Sequence, residues 1–336
     1  MDYLHPPFIM LTFIVILFIT FANAYSPGPC SGDCQALDPA LIQRQSDGKY
    51  FRFSTGGGVS ITTAGKLEGP WTQQGEALPN GSSIHISGVD SDNLWAPDVH
   101  YENGIYYMYY AISADSKSTS AIGVASSPSM EAGSWEDHGG IGVGSNSDSR
   151  YNAIDANWIS IQGQAYLNFG SYFDGLQQVE MLDALNRSAE STPHQIAYNT
   201  TDGCKEEASF MVERDGFYYL LFSSGINEYP NNAKVPRGEE YRIVICRSTT
   251  GTGDFVDASG HPCTQSGGTT LLASDGRVYG PGGQGVYKHP QLGYILYYHY
   301  ADENIGLSRS DFQFGWNYLC WTQDNWPIVC DSPGQN

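Results

Sequence analysis

One phrase is written five times along this 336-residue chain: a polar turn with glycine, then an aromatic-rich run. The copies are Asp47-Gly48-Lys49-Tyr50-Phe51-Arg52-Phe53, Asn103-Gly104-Ile105-Tyr106-Tyr107-Met108-Tyr109, Gln162-Gly163-Gln164-Ala165-Tyr166-Leu167-Asn168-Phe169, Asp215-Gly216-Phe217-Tyr218-Tyr219-Leu220-Leu221-Phe222 and, more loosely, Leu292-Gly293-Tyr294-Ile295-Leu296-Tyr297-Tyr298. The turn glycines lie 56, 59, 53 and 77 residues apart. Runs of β-branched and aromatic residues bounded by Gly, Asn and Asp read as strands. A repeat of this period made of strands predicts the blades of a propeller. The predicted fold is therefore all-β, a five-bladed β-propeller.

Each aromatic run has followers. A small-residue strand comes next, as in Gly58 to Thr63, Ala121 to Ser126, Tyr241 to Cys246 and Ile305 to Ser308. A Gly-x-Trp or Gly-x-Phe edge strand then follows, around Trp71, Trp135 and Phe255, with Gly315-Trp316 in the last unit. The innermost strand of each unit must precede the aromatic phrase. Helical signals are scarce, and Glu180 to Arg187 is the best short candidate.

Residues 1–24 read as a secretory signal peptide: an apolar run from Phe8 to Phe21, then the small-x-small site Ala22-Asn23-Ala24. That leaves 25–336 as one propeller domain, secreted and extracellular. No later stretch is long and apolar enough to cross a bilayer as a helix. Seven cysteines in a secreted chain imply disulfides and one leftover thiol. Cys246 with Cys263 and Cys320 with Cys330 are the expected pairs, each flanking a short loop; Cys30, Cys34 and Cys204 are left open. Asn80, Asn186 and Asn199 begin glycosylation sequons. A formal charge of -20 argues against nucleic acid and anionic membranes as partners.

Acidic motifs stand just upstream of four aromatic phrases: Leu37-Asp38-Pro39-Ala40, Trp95-Ala96-Pro97-Asp98, Tyr151-Asn152-Ala153-Ile154-Asp155 and Lys205-Glu206-Glu207-Ala208. The fifth slot holds Gly280-Pro281-Gly282-Gly283-Gln284. Equivalent positions in successive blades converge on the propeller axis, so carboxylates far apart in sequence are expected to share one pit. Repulsion and burial there should raise at least one pKa. Glycoside hydrolysis needs such a set: a protonated acid for the leaving oxygen and an ionised base or nucleophile. No Gly-x-Ser-x-Gly elbow, zinc-type Cys/His spacing or phosphate loop offers a different chemistry.

The chain resembles glycoside hydrolase family 43, and within it the secreted fungal endo-1,5-α-L-arabinanases. The carriers are Asp38-Pro39-Ala40-Leu41-Ile42, the first aromatic phrase through Thr55, Trp95-Ala96-Pro97-Asp98-Val99, Tyr151 to Asp155, Phe169-Gly170-Ser171, Glu207-Ala208, Gly280-Pro281-Gly282 and Tyr298-His299-Tyr300. The resemblance implies cleavage of α-1,5-arabinofuranosyl linkages with inversion. Asp38 matches the general base, Glu207 the general acid and Asp155 the carboxylate that tunes the acid's pKa; Glu206 is the rival for the acid role. It further implies substrate contacts at Asn152 and Ser171, no organic cofactor, and a calcium or sodium ion near His299. Trp95, beside the expected pit, is a candidate platform for a sugar ring, and Asp98 is expected to bond backbone amides in a turn. The implied partner is plant cell-wall arabinan or a related pentose polysaccharide, acted on by a monomer. Three positions depart from the family's pattern: Leu37 and Gly283, where His is usual, and Ser209, where Pro is usual. Two rival readings follow, an exo-acting α-L-arabinofuranosidase or β-xylosidase of the same family and a non-catalytic sugar-binding propeller.

Overall fold

The computed structural model describes residues 25–114, 118–201 and 203–334; the predicted signal peptide lies outside them. The chain forms five antiparallel sheets, each running outward in chain order from its innermost strand. Blade 1 comprises Ala40–Gln43, Tyr50–Ser54, Ser60–Ala64 and Thr72–Glu76. Blade 2 comprises Trp95–Glu102, Ile105–Ser113, Ser120–Ser127 and Glu136–Ser145. Blade 3 comprises Asn157–Ile161, Gln164–Phe169, Leu176–Asp183 and His194–Ala197, with the short strand Asn186–Arg187 also on its third strand. Blade 4 comprises Glu206–Arg214, Phe217–Ser224, Arg242–Ser248 and Thr269–Leu272, and blade 5 Val278–His289, Gly293–Asp302, Gln313–Trp321 and Pro327–Cys330. The five-bladed propeller expected from the repeat is what forms.

The repeated aromatic phrase is always the second strand, hydrogen-bonded on both edges. Its side chains alternate between the two neighbouring blades. In blade 4, Tyr218, Leu220 and Phe222 pack toward blade 3, while Tyr219 and Leu221 pack toward blade 5. In blade 5, Tyr294, Leu296 and Tyr298 face blade 4, and Ile295 and Tyr297 face blade 1. Both faces of each such strand are thus buried, which is why the phrase is a near-continuous apolar run rather than a polar/apolar alternation. The core is not one cluster but a ring of inter-blade seams.

The ring closes through the N-terminal segment rather than through a strand shared between first and last blades. Gly28 N–H donates to Trp316 O at 2.7 Å and Phe314 N–H to Cys34 O at 2.7 Å, tying the segment to blade 5. Asp33 N–H donates to Trp71 O at 2.9 Å, tying it to blade 1. Arg52, fully buried, donates to Asp33 O and Gln35 O at 3.0 and 2.9 Å from beneath. Its guanidinium lies 5.0 Å from the ring centroids of both Trp71 and Phe314.

Disulfides join Cys246 to Cys263 and Cys320 to Cys330 as expected, and also Cys30 to Cys34; Cys204 is a free, buried thiol. Three local expectations are corrected. Glu180 to Arg187 is not a helix: Val179 and Met181 are buried while Glu180 and Leu182 are exposed, a period of two, and the chain turns back at Asp183. Blade 4 takes its outer strand from Thr269–Leu272, because Val256 makes only isolated bridges, to Arg247 and Pro262, within the excursion spanned by Cys246–Cys263. In blade 5, Ile305 to Ser308 is a loop; the strand bearing Gly315-Trp316 is third and Pro327–Cys330 is outermost.

Candidate active site

The inner strands share one backbone device. Asp38, Ala96, Asp155, Ala208 and Gly283 all adopt the left-handed conformation, with φ of 44, 45, 58, 55 and 57°. Two residues further on, each strand is in register with its aromatic partner: Ala40 with Phe53, Asp98 with Tyr109, Asn157 with Asn168, Phe210 with Leu221 and Gly285 with Tyr297. These kinks re-aim side chains at the channel mouth. For the four non-glycine residues the conformation costs on the order of 1 kcal/mol each, a strain that clusters at functional sites.

The equivalence corrects the alignment of the acidic motifs. Asp38 and Asp155 are true equivalents; Glu207 stands one residue before its kink and reaches the pit with a longer side chain. Asp98 stands two residues past its kink, deeper along the axis. There it accepts hydrogen bonds from Trp158 N–H at 2.9 Å and Asn157 Nδ2 at 3.3 Å, the amide-bonding role expected of it. Burial pushes its pKa up to about 6.

Asp38 is held by two neighbours. Thr55 Oγ1 donates to its Oδ2 at 2.8 Å and itself accepts from Ala96 N–H at 2.7 Å, so the hydroxyl proton can only point at the carboxylate. The Asp38 N–H donates to His299 Nδ1 at 3.0 Å. Burial pushes the Asp38 pKa up, but the contacts with His299 and Thr55 and the Arg309 charge outweigh it, leaving the group below the usual range. His299 Nδ1 also lies 3.4 Å from Asp38 Oδ1. This is not an ion pair, because a nitrogen accepting from a backbone N–H carries no proton. With Nδ1 unprotonated, what draws the Asp38 pKa down against burial is the Thr55 hydroxyl and the Arg309 charge, the smaller of the lowering causes.

Asp155 Oδ2 accepts from Ala208 N–H at 3.0 Å, which ties it to the backbone beside Glu207. Burial and the negative charges of Glu207 and Asp38 hold its pKa well above the ordinary value. Glu207 accepts from Ser171 Oγ at 2.7 Å, Tyr241 OH at 2.8 Å and Asn227 Nδ2 at 2.9 Å. Its pKa is nevertheless raised, chiefly by burial and then by Asp38, against the pull of Ser171, Tyr241 and Arg309. The site therefore holds one carboxylate biased toward ionisation and two toward protonation, the asymmetry that acid/base chemistry needs.

Two connected cavities meet at these groups. One, of about 300 Å³, is lined by Asp38, Asp155, Glu207, Thr55, Trp95, Tyr241 and Arg309. The other, of about 560 Å³, is lined by Trp95, Asn152, Ser171, Tyr172, Phe173, Glu207, Asn227 and Arg309. Asp38, Asp155, Glu207, Trp95, Asn152 and Ser171 each border one or both, whereas His299 and Asp98 do not. Glu206 borders neither cavity. Burial pushes its carboxyl up to about 8, against a backbone hydrogen bond from Asn199 and the Arg242 charge. Asn152 Oδ1 accepts from Ser120 Oγ at 2.6 Å, so the residue also braces the loop it sits on.

Sequence reasoning missed Thr55, Asn227, Tyr241 and Arg309 as site residues. Thr55 had a signal: it stands seven residues after its turn glycine, as Ser223 does in blade 4, where the aromatic strand reaches the channel mouth. Arg309 opens a single 3-10 turn, Arg309–Asp311, and Asn227 sits in an irregular loop, and neither position carries a sequence pattern. They find each other in space, Arg309 Nη2 lying 3.3 Å from Asn227 Oδ1 and 3.1 Å from Glu228 Oε1.

The residues around His299 do not fit a directly bound cation. The Asp38 N–H occupies Nδ1, so the proton of the neutral ring sits on Nε2, which then has no lone pair to offer. Among the described residues there is also no group of three or more His, Cys, Asp or Glu placed to hold a metal ion.

A channel-mouth pit of converging carboxylates on a five-bladed propeller, open to a larger neighbouring cavity, fits a glycoside hydrolase. The chain belongs to glycosyl hydrolases family 43, whose family model matches residues 33–327. It is 56% identical to a probable arabinan endo-1,5-α-L-arabinosidase C of Neosartorya fischeri, over 94% of this chain and 98% of that protein. It is 52% identical to the arabinan endo-1,5-α-L-arabinosidase C of Emericella nidulans, over 94% and 98%. Among solved structures it is similar to an exo-1,5-α-L-arabinanase from a bovine ruminal metagenomic library (TM-score 0.77, 26% identity, covering 89% of this chain and 99% of that one). It is equally similar to an endo-arabinanase of Bacillus licheniformis (TM-score 0.76, 28% identity, covering 90% and 99%).

Proposed function

We propose that this protein is a secreted endo-1,5-α-L-arabinanase that hydrolyses arabinan by a single displacement with inversion. The observation that carries the reading is the convergence of Asp38, Asp155 and Glu207 on one shared cavity, Asp38 held by the Thr55 hydroxyl and Glu207 by Ser171, Tyr241 and Asn227. Asp38, kept ionised, takes a proton from the attacking water. Glu207, kept protonated by burial and by the Asp38 charge, gives its proton to the departing glycosidic oxygen. Asp155 supports Glu207 from the neighbouring blade, its own raised pKa reflecting the same crowding. When Glu207 loses its proton, the donors Ser171, Tyr241 and Asn227 stabilise the carboxylate, so proton transfer is not opposed by an unsolvated charge. Trp95 borders both cavities and offers a flat apolar face for a furanose ring; Asn152 and Ser171 offer polar groups beside it. Arg309 offers a cation at the rim. The family resemblance implies a calcium or sodium ion near His299, but no step here requires it.

The names of the fungal relatives favour endo action on arabinan, and they cover almost the whole chain. Exo action stays as a second reading because an exo-acting enzyme stands among the similar structures. Secretion rests on the predicted signal peptide and on disulfides suited to an oxidising compartment; action as a monomer is part of the same proposal. Debranched arabinan, followed for reducing ends and product size, tests the reading. Oligosaccharides released by the wild type and lost in Asp38→Asn and Glu207→Gln support it. Release of arabinose alone points to exo action, and binding without any release points to a sugar-binding propeller.

A further inference from the structure

We infer that His299 acts in this chain as a neutral hydrogen-bond acceptor that holds the backbone of Asp38 in its left-handed turn, rather than as an ion ligand, and that Gly283 is what lets the ring come close enough to do so. The inference rests on the reading of Asp38 as the base.

A backbone N–H can only donate, so a 3.0 Å contact from Asp38 N fixes His299 Nδ1 as the acceptor. The ring is fully buried and pinned between Tyr241, stacked at 6.0 Å, and Phe312 at 4.9 Å. Nδ1 faces the Asp38 backbone, and no described residue lies within hydrogen-bond distance of Nε2. What Nδ1 secures is the residue that most needs securing. Asp38 is not a glycine, yet it has a φ of 44°, and its side chain must stay aimed at the site where water attacks. Thr55 fixes the carboxylate end and His299 the backbone end.

Gly283 completes the device. Its φ of 57° is one that side chains rarely adopt, and a Cβ there would lie 2.6 Å from both Nδ1 and Cε1 of His299 and 2.9 Å from Asp38 Oδ1. Any other residue would push the ring off the Asp38 N–H. The departure from the family's usual His at this position thus has a structural consequence: the space of a side chain is taken by the His299 ring itself.

The test compares three variants on debranched arabinan. In His299→Asn the side-chain oxygen stands where Nδ1 stood and can accept from Asp38 N–H, but nothing occupies the Nε2 position. His299→Phe keeps the ring stacking and removes the acceptor. Gly283→Ala leaves His299 intact and displaces it. The expected result is a kcat lowered by about 100-fold in His299→Phe and Gly283→Ala with KM unchanged, as for misplacement of a catalytic group by roughly an ångström. Partial recovery of kcat is expected in His299→Asn, and elemental analysis of the wild type should find no stoichiometric calcium or sodium. Melting curves establish that each variant is folded. Equal impairment of His299→Asn and His299→Phe, with one equivalent of cation bound by the wild type and lost in both, overturns the inference in favour of an ion site. Normal kcat in His299→Phe overturns it outright. If instead Asp38→Asn stays active, it is the underlying assignment of the base that has failed.

Discussion

At the scale of single residues, environment splits like groups apart. Glu206 and Glu207 are neighbours in sequence, yet successive residues on a strand face opposite ways. Only Glu207 faces the cleft. Glu207→Gln should lower kcat by about 10²–10⁴-fold, the usual range for a general acid, while Glu206→Gln should leave it nearly unchanged. Glu206 has a different signature. Its folded-state pKa is raised to about 8, so between its unfolded value and pH 8 the folded protein holds the proton more tightly than the unfolded chain. Stability from this group is fully present below its unfolded pKa and is lost as pH rises through the folded pKa. Thermal melts of the wild type from pH 5 to pH 8 should therefore show a falling midpoint, and Glu206→Gln should flatten that fall. A mutant curve parallel to the wild type would show that Glu206 is not the group responsible.

At the scale of elements, a buried polar chain crosses the inner strands beneath the pit. Asn157 Nδ2 donates to Asp98 in blade 2, while its Oδ1 accepts from Met211 N–H in blade 4 at 2.8 Å and from Asn168 Nδ2 at 3.2 Å. Gln178 extends the chain from Asn168 Oδ1 to Gly251 O. Asn157 lies two residues after Asp155, and Met211 four after Glu207, so the chain fixes the strands that carry both. Asn157→Ala leaves the buried Met211 N–H unpaired and should destabilise the fold by roughly 1–3 kcal/mol, measurable by denaturant unfolding. A change near zero would mean that the strands are held by packing alone. The sequence displayed some of this and hid the rest. The aromatic strands were legible because burial on both faces forces a composition that only a central strand tolerates. Asp38, Asp155 and Glu207 were legible because they precede those strands at nearly constant distance. The outer strand of blade 4 was not, because its excursion after Cys246 carries a Gly-x-Phe that imitates an edge strand. Asn227, Tyr241 and Arg309 were not, because loops and strand ends meet at the channel mouth only after the ring has closed.

For the whole molecule, closure depends on the segment from Ser26 to Ala36, which joins blade 5 to blade 1 by backbone bonds and lies over Arg52. The same segment leads directly into Asp38, so ring closure and placement of the base are one event. Removing residues 25–36 should lower the melting temperature, broaden unfolding and abolish turnover together. A truncated protein that melts as sharply as the wild type would show that the inter-blade seams close the ring without it. The single displacement proposed for this ring leaves a stereochemical record in its first product. Proton NMR of linear α-1,5-arabino-oligosaccharides, followed from the first seconds of hydrolysis, reads that record directly. With inversion, the newly released reducing end appears first as the β-anomer and only then mutarotates, and Asp38→Asn and Glu207→Gln release none. An α-anomer appearing first would mean retention through a covalent intermediate and would contradict the roles assigned to Asp38 and Glu207.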